Sequence, residues 1–475
     1  MITTPYSAPR YPYAPGSFTP ASPVPAEDAS PFQRLGFNVL LVFLFLAISR
    51  VFDVKFGALH ITGASFRVVL AMVLLSRAFV PALQTKIGKA MLGFTICMCL
   101  AVPFSVWRTG SKNIFVSWAG FSFVAFLAVA GLVGNYQQWL KAHRTLLGAL
   151  FVFVVIANVF GVQKSGRLFL EQGKFANPNE MAQILLLGLP MWGAAMVNTM
   201  SGPKKVFAAG AMLLMLVTTF RTGSRGAMIA FMVMIMVAFI RASIIDKLKL
   251  IMAGVLFVGV VATIMPGRLV ARYKTVAGDA DTEDSEMDAA MMSSASSSTE
   301  SRRQLLIHSL LFTWQHPIFG VGPGMFTVAD DAYAKSLGLR KGAWLGTHNS
   351  YTQVSSEIGI PAFLFYLASV FLSIAGPLQV YRKTRGDPRL EQMGTIALGL
   401  HYTMIIYAVT VLFEHIAYTV MLPIFGGFVA ALVRVADAEI ERIKAIPLPP
   451  TMSTAMFRTY LTERPRQRQL GQSLQ

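Results

Sequence analysis

The sequence predicts an all-α polytopic membrane protein with about twelve transmembrane helices and one long extramembrane loop. Hydrophobic residues make up 54% of its 475 residues and charged residues only 13%, whereas a soluble chain carries about a quarter charged residues. Several apolar runs reach about 18 residues or more, which is enough to span a bilayer. Because every backbone amide in hydrocarbon must be bonded within its own segment, these runs are predicted to be helices.

Both ends of the chain differ from this apolar core. Residues 1–33 hold eight prolines among small and polar residues, a composition that predicts a disordered or polyproline-like tail. They show no basic start followed by a short apolar core, so we do not expect a secretory signal. Residues 436–475 form a second predicted tail, which is basic.

Twelve apolar segments lie between the tails, nine before the long loop and three after it. Their predicted ranges are 35–51, 66–83, 90–107, 113–134, 145–163, 179–199, 205–220, 224–241, 248–266, 353–380, 395–413 and 416–435. The short loops on one side all carry lysine or arginine, as cytoplasmic loops do. With an even number of helices, this rule places both termini in the cytoplasm and the long loop on the outer face.

Arginines on the predicted outer face are the first indication of a site. The charge rule disfavours cations there, and boundary arginines are costly unless they are paired. Arg221 and Arg225 flank a tight turn between two apolar runs, and Arg167 stands in another short outer loop. The planar fork of arginine matches phosphate oxygens, so a diphosphate is the predicted partner. The alternative is that these side chains extend to lipid headgroups.

The start of the segment 179–199 adds polar candidates. Pro178 suits the first position of a helix, and Asn177 suits its N-cap, which makes Asn177 structural. Asn179 is a candidate for lining a polar cavity, because amides inside membranes seek hydrogen-bond partners.

The long loop, residues 267–352, divides into three parts. Arg268 and Arg272 precede an acidic and Ser-rich stretch, 279–301, that we predict to be mobile. An amphipathic helix is predicted from Arg302 to Pro317, because its leucines and Trp314 recur at helical spacing. A cation at the start of a helix opposes the dipole, so Arg302 either serves an outside partner or is simply solvated. A glycine-rich turn, 320–324, follows.

The run Thr347-His348-Asn349-Ser350-Tyr351 ends the loop, immediately before an apolar segment. A neutral imidazole here can take a proton from a hydroxyl near neutral pH, or His348 is an interfacial residue without chemistry. Asn349 and Ser350 suit the cap of the following helix. Glu357 either orients an arginine or the histidine, or forms a buried ion pair that holds helices together.

Other chemistries find little support. Cys97 and Cys99 lie in an apolar run and are interpreted as filler. No metal, P-loop or serine-hydrolase motif occurs, so we expect no metal and no cofactor. The net charge of +18 comes from scattered loop residues without interleaved aromatics, which argues against nucleic acid. The pair Glu414-His415, in the last predicted outer loop, is a second candidate for the functional site.

Four blocks in this order resemble the O-antigen ligase and Wzy-type polymerase superfamily, with an O-antigen-ligase-like core at about 205–370. The blocks are Gly173 to Asn179, Thr222 to Gly226, Arg302 to Gly324, and His348 to Pro361. The resemblance covers roughly residues 35–435. The acidic and Ser-rich insertion, 279–301, departs from the family pattern, and Pro361 is a minor departure.

The resemblance implies a GT-C-like membrane fold whose long periplasmic loop contains amphipathic helices. It implies an inverting, metal-independent transfer from undecaprenyl diphosphate to an acceptor hydroxyl, on lipid A–core or on another glycan, at the periplasmic face of the bacterial inner membrane. Arg225 and His348 match the family's diphosphate-binding arginine and catalytic base. Arg167 and Arg302 match less closely. Arg221, Arg268 and Arg272 match no family position directly and are assigned to the site only because they lie near the matching blocks.

The predicted layout is therefore a tail, 1–33, nine helices within 34–266, the periplasmic loop 267–352, three helices within 353–435 and a cytoplasmic tail, 436–475. Within the family, ligation, polymerisation and transfer to a protein stay open. A polysaccharide transporter or flippase is the alternative from another class, although no duplicated halves are visible. A scaffold in an envelope complex would leave the outer arginines and His348 unexplained.

Overall fold

The computed structural model describes residues 30–51, 61–164, 166–171, 177–199, 201–264, 286–339 and 344–445. Most of both predicted tails, residues 1–29 and 446–475, lies outside the described residues, as do Lys174, Arg268 and Arg272. The helices are α1 (Pro31–Ser49), α2 (Ile61–Leu75), α3 (Phe79–Gln84), α4 (Lys86–Ala101), α5 (Arg108–Ser117), α6 (Val124–Leu132), α7 (Tyr136–Phe160), α8 (Pro178–Thr199), α9 (Gly202–Arg221), α10 (Arg225–Arg241), α11 (Ile244–Ile264), α12 (Glu286–Gln315), α13 (Phe326–Ser336), α14 (Ser350–Ile358), α15 (Ile360–Thr384), α16 (Glu391–Thr410) and α17 (Met421–Lys444).

The predicted fold class, an all-α polytopic membrane protein, is confirmed. Among the described residues, nine helical segments are long and apolar enough to cross a membrane, and the apolar helix Ile61–Leu75 is shorter. Each of the twelve predicted segments overlaps a helix. The helix Arg225–Arg241 has 17 residues, which is at the short end of the lengths that span a bilayer.

The β structure in the described part of the chain is one antiparallel hairpin. Val162–Lys164 pairs with Arg167–Phe169, and Lys164 stands opposite Arg167. The hairpin places Arg167 in the connection that precedes α8.

Apolar side chains and a few buried polar contacts pack the helices together. The most extensive contacts join α8 to α16, α15 to α16, α8 to α9, α1 to α7 and α4 to α15. Trp139 donates its ring N–H to the carbonyl of Phe428 at 2.9 Å, and the hydroxyls of Tyr366 and Tyr407 lie 3.1 Å apart. Such bonds satisfy polar atoms that lipid cannot.

The predicted segment 353–380 is wrong as one continuous helix. The nine-residue helix α14 ends at Ile358, and α15 starts at Ile360. Between them, Gly359 interrupts the helix with φ of +91°. A Cβ at Gly359 would lie 2.2 Å from the carbonyl oxygen of Ile318. Because another chain segment contacts the backbone at this point, the helix breaks here, and His348 precedes a short buried helix instead of a membrane span.

The loop helix also differs from its prediction. The helix α12 starts at Glu286 and continues through the Ser-rich run 293–301 to Gln315, just before Pro317. Serine is only modestly unfavourable in helices, and the alanine, methionine and glutamate residues of this stretch favour them. Arg302 therefore lies within the helix, so the unfavourable charge at a helix start does not apply to it. A second loop helix, α13, follows the glycine-rich turn.

Two of the sequence blocks interlock. The amides of Val321 and Gly322 donate to the carbonyls of Ser356 and Glu357 at 2.9 and 2.8 Å, and the amide of Ile360 donates to the carbonyl of Pro317 at 2.7 Å. Gly320 has φ of +64°, and a Cβ there would lie 2.3 Å from the backbone of Glu357. The glycine-rich turn therefore packs directly against α14 and sets its position.

Candidate active site

A small, open pocket lies where the starts of α8 and α10, the loop helix α12 and the connection between α16 and α17 meet. Its lining residues are Asn179, Ser224, Arg225, Gly226, Arg302, Phe413 and Glu414. Arg302 lies within the loop helix, and the other lining residues come from helix ends and connections. The charge rule predicts the outer face for all of these segments.

Arg225 is the first residue of α10. The hydroxyl of Ser224 caps this helix by accepting from the amide of Ala227 at 3.3 Å, and Gly223 turns the chain with φ of +65°. A Cβ at Gly226 would lie 2.8 Å from Cβ of Phe413, so this glycine lets the α16–α17 connection pass over the helix start. The guanidinium and the positive end of the helix together favour an anion in the pocket.

Arg167 supports the pocket. Its Nε donates to the carbonyl of Thr222 at 2.8 Å and its Nη2 to Oδ1 of Asn179 at 2.5 Å. The side chain of Asn177 accepts from the amide of Asn179 at 2.9 Å, as an N-cap does. Arg167 thus positions a pocket residue and the turn before Arg225.

Arg221 makes a different contact. Its Nη1 donates to Oδ1 of Asn158 at 2.8 Å, and Asn158 donates to the hydroxyl of Thr218 at 2.7 Å and to the carbonyl of Val154 at 2.8 Å. The end of α9 is therefore joined to α7, and Arg221 is not among the residues that line the pocket. Sequence reasoning missed Asn158, although an amide within an apolar run is a recognisable signal.

His348 stands in a left-handed backbone conformation with φ of +50°. The side chain of Asn349 caps α14 by accepting from the amides of Tyr351 and Thr352 at 2.9 and 3.3 Å. The ring of His348 meets that of His415 edge to face at 5.0 Å. Within the described part of the chain, Nδ1 of both rings is buried without a hydrogen-bond partner.

The environment keeps His348 neutral. Burial, together with smaller electrostatic contributions from His415 and Arg302, lowers the pKa of His348 to about 4. Arg302, a pocket residue from α12, is therefore close enough to act on the imidazole. A neutral imidazole can accept a proton, and a bound anion that neutralises Arg302 would raise the pKa of His348 again.

Glu414 lies in the pocket wall with 4% of its surface exposed. Burial, and to a smaller extent the charge of Glu180, outweigh the opposing effects of Arg302, Arg167 and a hydrogen bond from Asn179 and raise the pKa of Glu414 to about 8. Glu414 is thus mainly protonated at neutral pH. From the sequence, Glu414-His415 was only a second candidate for the site. Residue spacing along the chain does not show that the α16–α17 connection reaches His348.

The short helix α14 holds that connection in place. The hydroxyl of Ser350 donates to the carbonyl of Glu414 at 2.7 Å and accepts from the amide of Ile416 at 3.0 Å. A Cβ at Gly346 would lie 2.6 Å from the ring of His415. The conformation of 346–350 therefore determines where His415 and Glu414 sit.

Glu357 has backbone partners in place of the arginine or histidine that the sequence suggested. Its carboxylate accepts from the amides of Gly324 and Phe326 at 2.8 and 3.2 Å and from the hydroxyl of Tyr418 at 2.6 Å. Burial outweighs the opposing effect of these hydrogen bonds and raises the pKa of Glu357 to about 7. The side chain fastens the glycine-rich turn and the α16–α17 connection to α14, outside the pocket lining.

The geometry combines two arginines from separate elements with a neutral imidazole. Arg225 and Arg302 can bind a phosphate-like anion, and His348 can take a proton from a hydroxyl beside it. Residues 210–367, about a third of the chain, match the family described as O-antigen ligase. The match includes Arg221, Arg225, Arg302, His348 and Glu357. No curated protein matches the chain.

Proposed function

We propose that this chain, whose residues 210–367 match the family described as O-antigen ligase, is a member of the O-antigen ligase and Wzy-type polymerase superfamily. In this proposal it transfers a glycan from undecaprenyl diphosphate to an acceptor hydroxyl at the periplasmic face. The family match supports a role as a membrane enzyme of polysaccharide biosynthesis. The acceptor in this proposal is lipid A–core or a second glycan, and no metal takes part in the reaction.

One observation carries the proposal. Arg225 and Arg302 line the same pocket although they belong to different elements, and Arg302 also acts electrostatically on His348. His348 is not among the residues that line the pocket, and its interaction with Arg302 supports placing a proton acceptor near a binding place for the leaving diphosphate. It is the combination that glycosyl transfer from a diphosphate requires.

In the proposed step, the acceptor oxygen attacks the anomeric carbon while His348 takes the hydroxyl proton. The bond between that carbon and the diphosphate oxygen breaks, and its electron pair leaves with the diphosphate. Arg225 and Arg302 stabilise the developing negative charge without reorganising. Attack from the side opposite the leaving group inverts the anomeric centre.

The buried carboxyl of Glu414 fits this scheme when it is protonated. A carboxylate beside Arg225 and Arg302 would compete with the diphosphate for the same cations. With its pKa raised to about 8, the group is uncharged at neutral pH, and its proton can be donated to a phosphate oxygen.

The proposal is tested by replacing the three proposed residues one at a time. We expect His348→Ala, Arg225→Ala and Arg302→Ala each to reduce glycan transfer about 100-fold or more, as loss of a base or a charge-stabilising donor does. Surface glycan made by cells that carry only the variant is measured on a gel, and the membrane level of each variant is determined. Arg303→Ala is the matched control, because Arg303 is exposed on the same helix and its loss should leave transfer unchanged.

The lipid-linked products distinguish the alternatives. Long lipid-linked chains that accumulate in the His348→Ala strain indicate a lost ligase, whereas single lipid-linked repeats indicate a lost polymerase. A transporter would instead leave its substrate on the cytoplasmic side of the membrane. Normal surface glycan in both His348→Ala and Arg302→Ala would show that the proposed chemistry is wrong.

A further inference from the structure

The loop helix α12 has an apolar side that no part of the described chain covers. Leu305 and Phe312 face inward and pack against Val321, Met325 and Phe326. The exposed side carries Ile307, Leu310 and Trp314, and Trp314 is 84% exposed. Their spacing of three and four residues puts them on one stripe of the helix.

The stripe continues past the end of the helix. Ile318, in the turn that follows, is 61% exposed, and the next residue, Phe319, stacks on Phe104 with ring centroids 4.1 Å apart. Phe104 is itself 62% exposed and is the last residue of the candidate membrane span Lys86–Phe104. The apolar stripe therefore meets the end of one membrane helix.

A second membrane helix begins at the same place. The amide of Ile360, the first residue of the candidate span Ile360–Thr384, donates to the carbonyl of Pro317 at 2.7 Å. Leu364 and Phe365, one turn further along this span, are exposed apolar residues of the kind that face lipid. The stripe on α12 is thus continuous with surfaces that contact the bilayer.

We propose that the stripe formed by Ile307, Leu310, Trp314 and Ile318 lies in the outer surface of the bilayer, so that α12 is an interfacial helix. An amphipathic helix with one side on protein and an apolar side without a protein partner is typical of this position. Tryptophan is enriched at the same depth, where its ring contacts both acyl chains and water.

This position has a consequence for the site. Arg302 is on the same helix, on the side that faces the pocket. A helix held in the bilayer surface keeps Arg302 at one depth, next to the place where the diphosphate of a polyprenyl lipid would emerge.

Spin labels on the full-length protein in lipid nanodiscs test the proposal. With Cys97 and Cys99 replaced by alanine, a single label is introduced by Leu310→Cys. A matched control label is introduced by Gln304→Cys, an exposed polar position that lies about 120° around the helix from Leu310. We expect the label at 310 to be several-fold more accessible to oxygen, which concentrates in lipid, than to a water-soluble nickel chelate. The label at 304 should show the reverse.

Two results would overturn the proposal. A label at 310 that the nickel chelate reaches as easily as the label at 304 would place the stripe in water. An immobile label that neither reagent reaches would show that a protein, such as a second copy of this chain, covers the stripe. Lipids brominated in the acyl chain provide an independent measurement, because Trp314→Phe should remove part of the quenchable tryptophan fluorescence if Trp314 lies in lipid.

Discussion

At the scale of single residues, charge in an unusual place was the useful signal. The topology rule disfavours arginines on the outer face, and it singles out Arg225 and Arg167 from their positions along the chain. Arg225 lines the pocket, whereas Arg167 holds Asn179 beside it. Arg221 is only four residues from Arg225, yet it bonds Asn158 on another helix. The chain turns at Gly223 between the two arginines, so sequence proximity does not predict a shared direction.

The pH dependence of transfer should report both His348 and Glu414. As pH falls toward about 4, His348 becomes protonated and can no longer act as a base. As pH rises above about 8, Glu414 ionises and competes with the diphosphate for Arg302. We therefore expect the transfer activity to fall at both low and high pH. Glu414→Gln should remove the decrease at high pH and leave the decrease at low pH.

Profiles of kcat/KM against pH for the wild type and Glu414→Gln check this expectation. Glu300→Gln serves as the control, because Glu300 is an exposed carboxyl on the loop helix and its replacement should leave both limbs in place. An alkaline limb that persists unchanged in Glu414→Gln would contradict the role given to this carboxyl.

At the scale of elements, the glycine-rich turn and the short helix α14 work as one unit. Glycines at positive φ stand at Gly320 and Gly359, and at each of them a side chain would collide with the backbone of the other segment. The sequence showed the glycine-rich turn at 320–324 and the break before it at Pro317. It did not show that this turn contacts Gly359, because the two are separated along the chain and only docking joins them.

Glu357→Ala should destabilise the fold. The change leaves the buried amides of Gly324 and Phe326 and the hydroxyl of Tyr418 without their acceptor, and each unsatisfied buried group costs about 1–3 kcal/mol. We expect a fall in Tm of several degrees in detergent, with the exposed Glu300→Ala as control. If Glu357→Ala keeps the wild-type Tm but loses activity, Glu357 takes part in the chemistry.

At the scale of the whole molecule, the connections between helices fall into two sets, one for each predicted side of the membrane. The pocket draws on the connections before α8, before α10 and between α16 and α17 and on the loop helix. The basic connections near 85–89, 200–205 and 242–249 belong to the other set. This agrees with a single functional face, and the charge rule predicts that this face is periplasmic.

Labelling with a membrane-impermeant maleimide tests that orientation. In protein with Cys97 and Cys99 replaced by alanine, Trp344→Cys should react in cells whose outer envelope has been opened, because Trp344 is exposed in the loop before His348. Lys204→Cys, at the exposed start of α9, should react only after the inner membrane is permeabilised. The opposite pattern would place the pocket in the cytoplasm and contradict the predicted topology.

The fold class, the approximate helices and the residue types suited to a diphosphate and a base all follow from the sequence alone. They do so because in lipid each helix must satisfy its own backbone, so that apolar length and charge bias report structure locally. Which of these residues meet is a property of the folded chain. Arg302 reaches the pocket of Arg225 from a separate loop helix, and Glu414 reaches it from the α16–α17 connection. These positions depend on contacts between segments that are distant along the chain, and local sequence patterns do not predict such contacts.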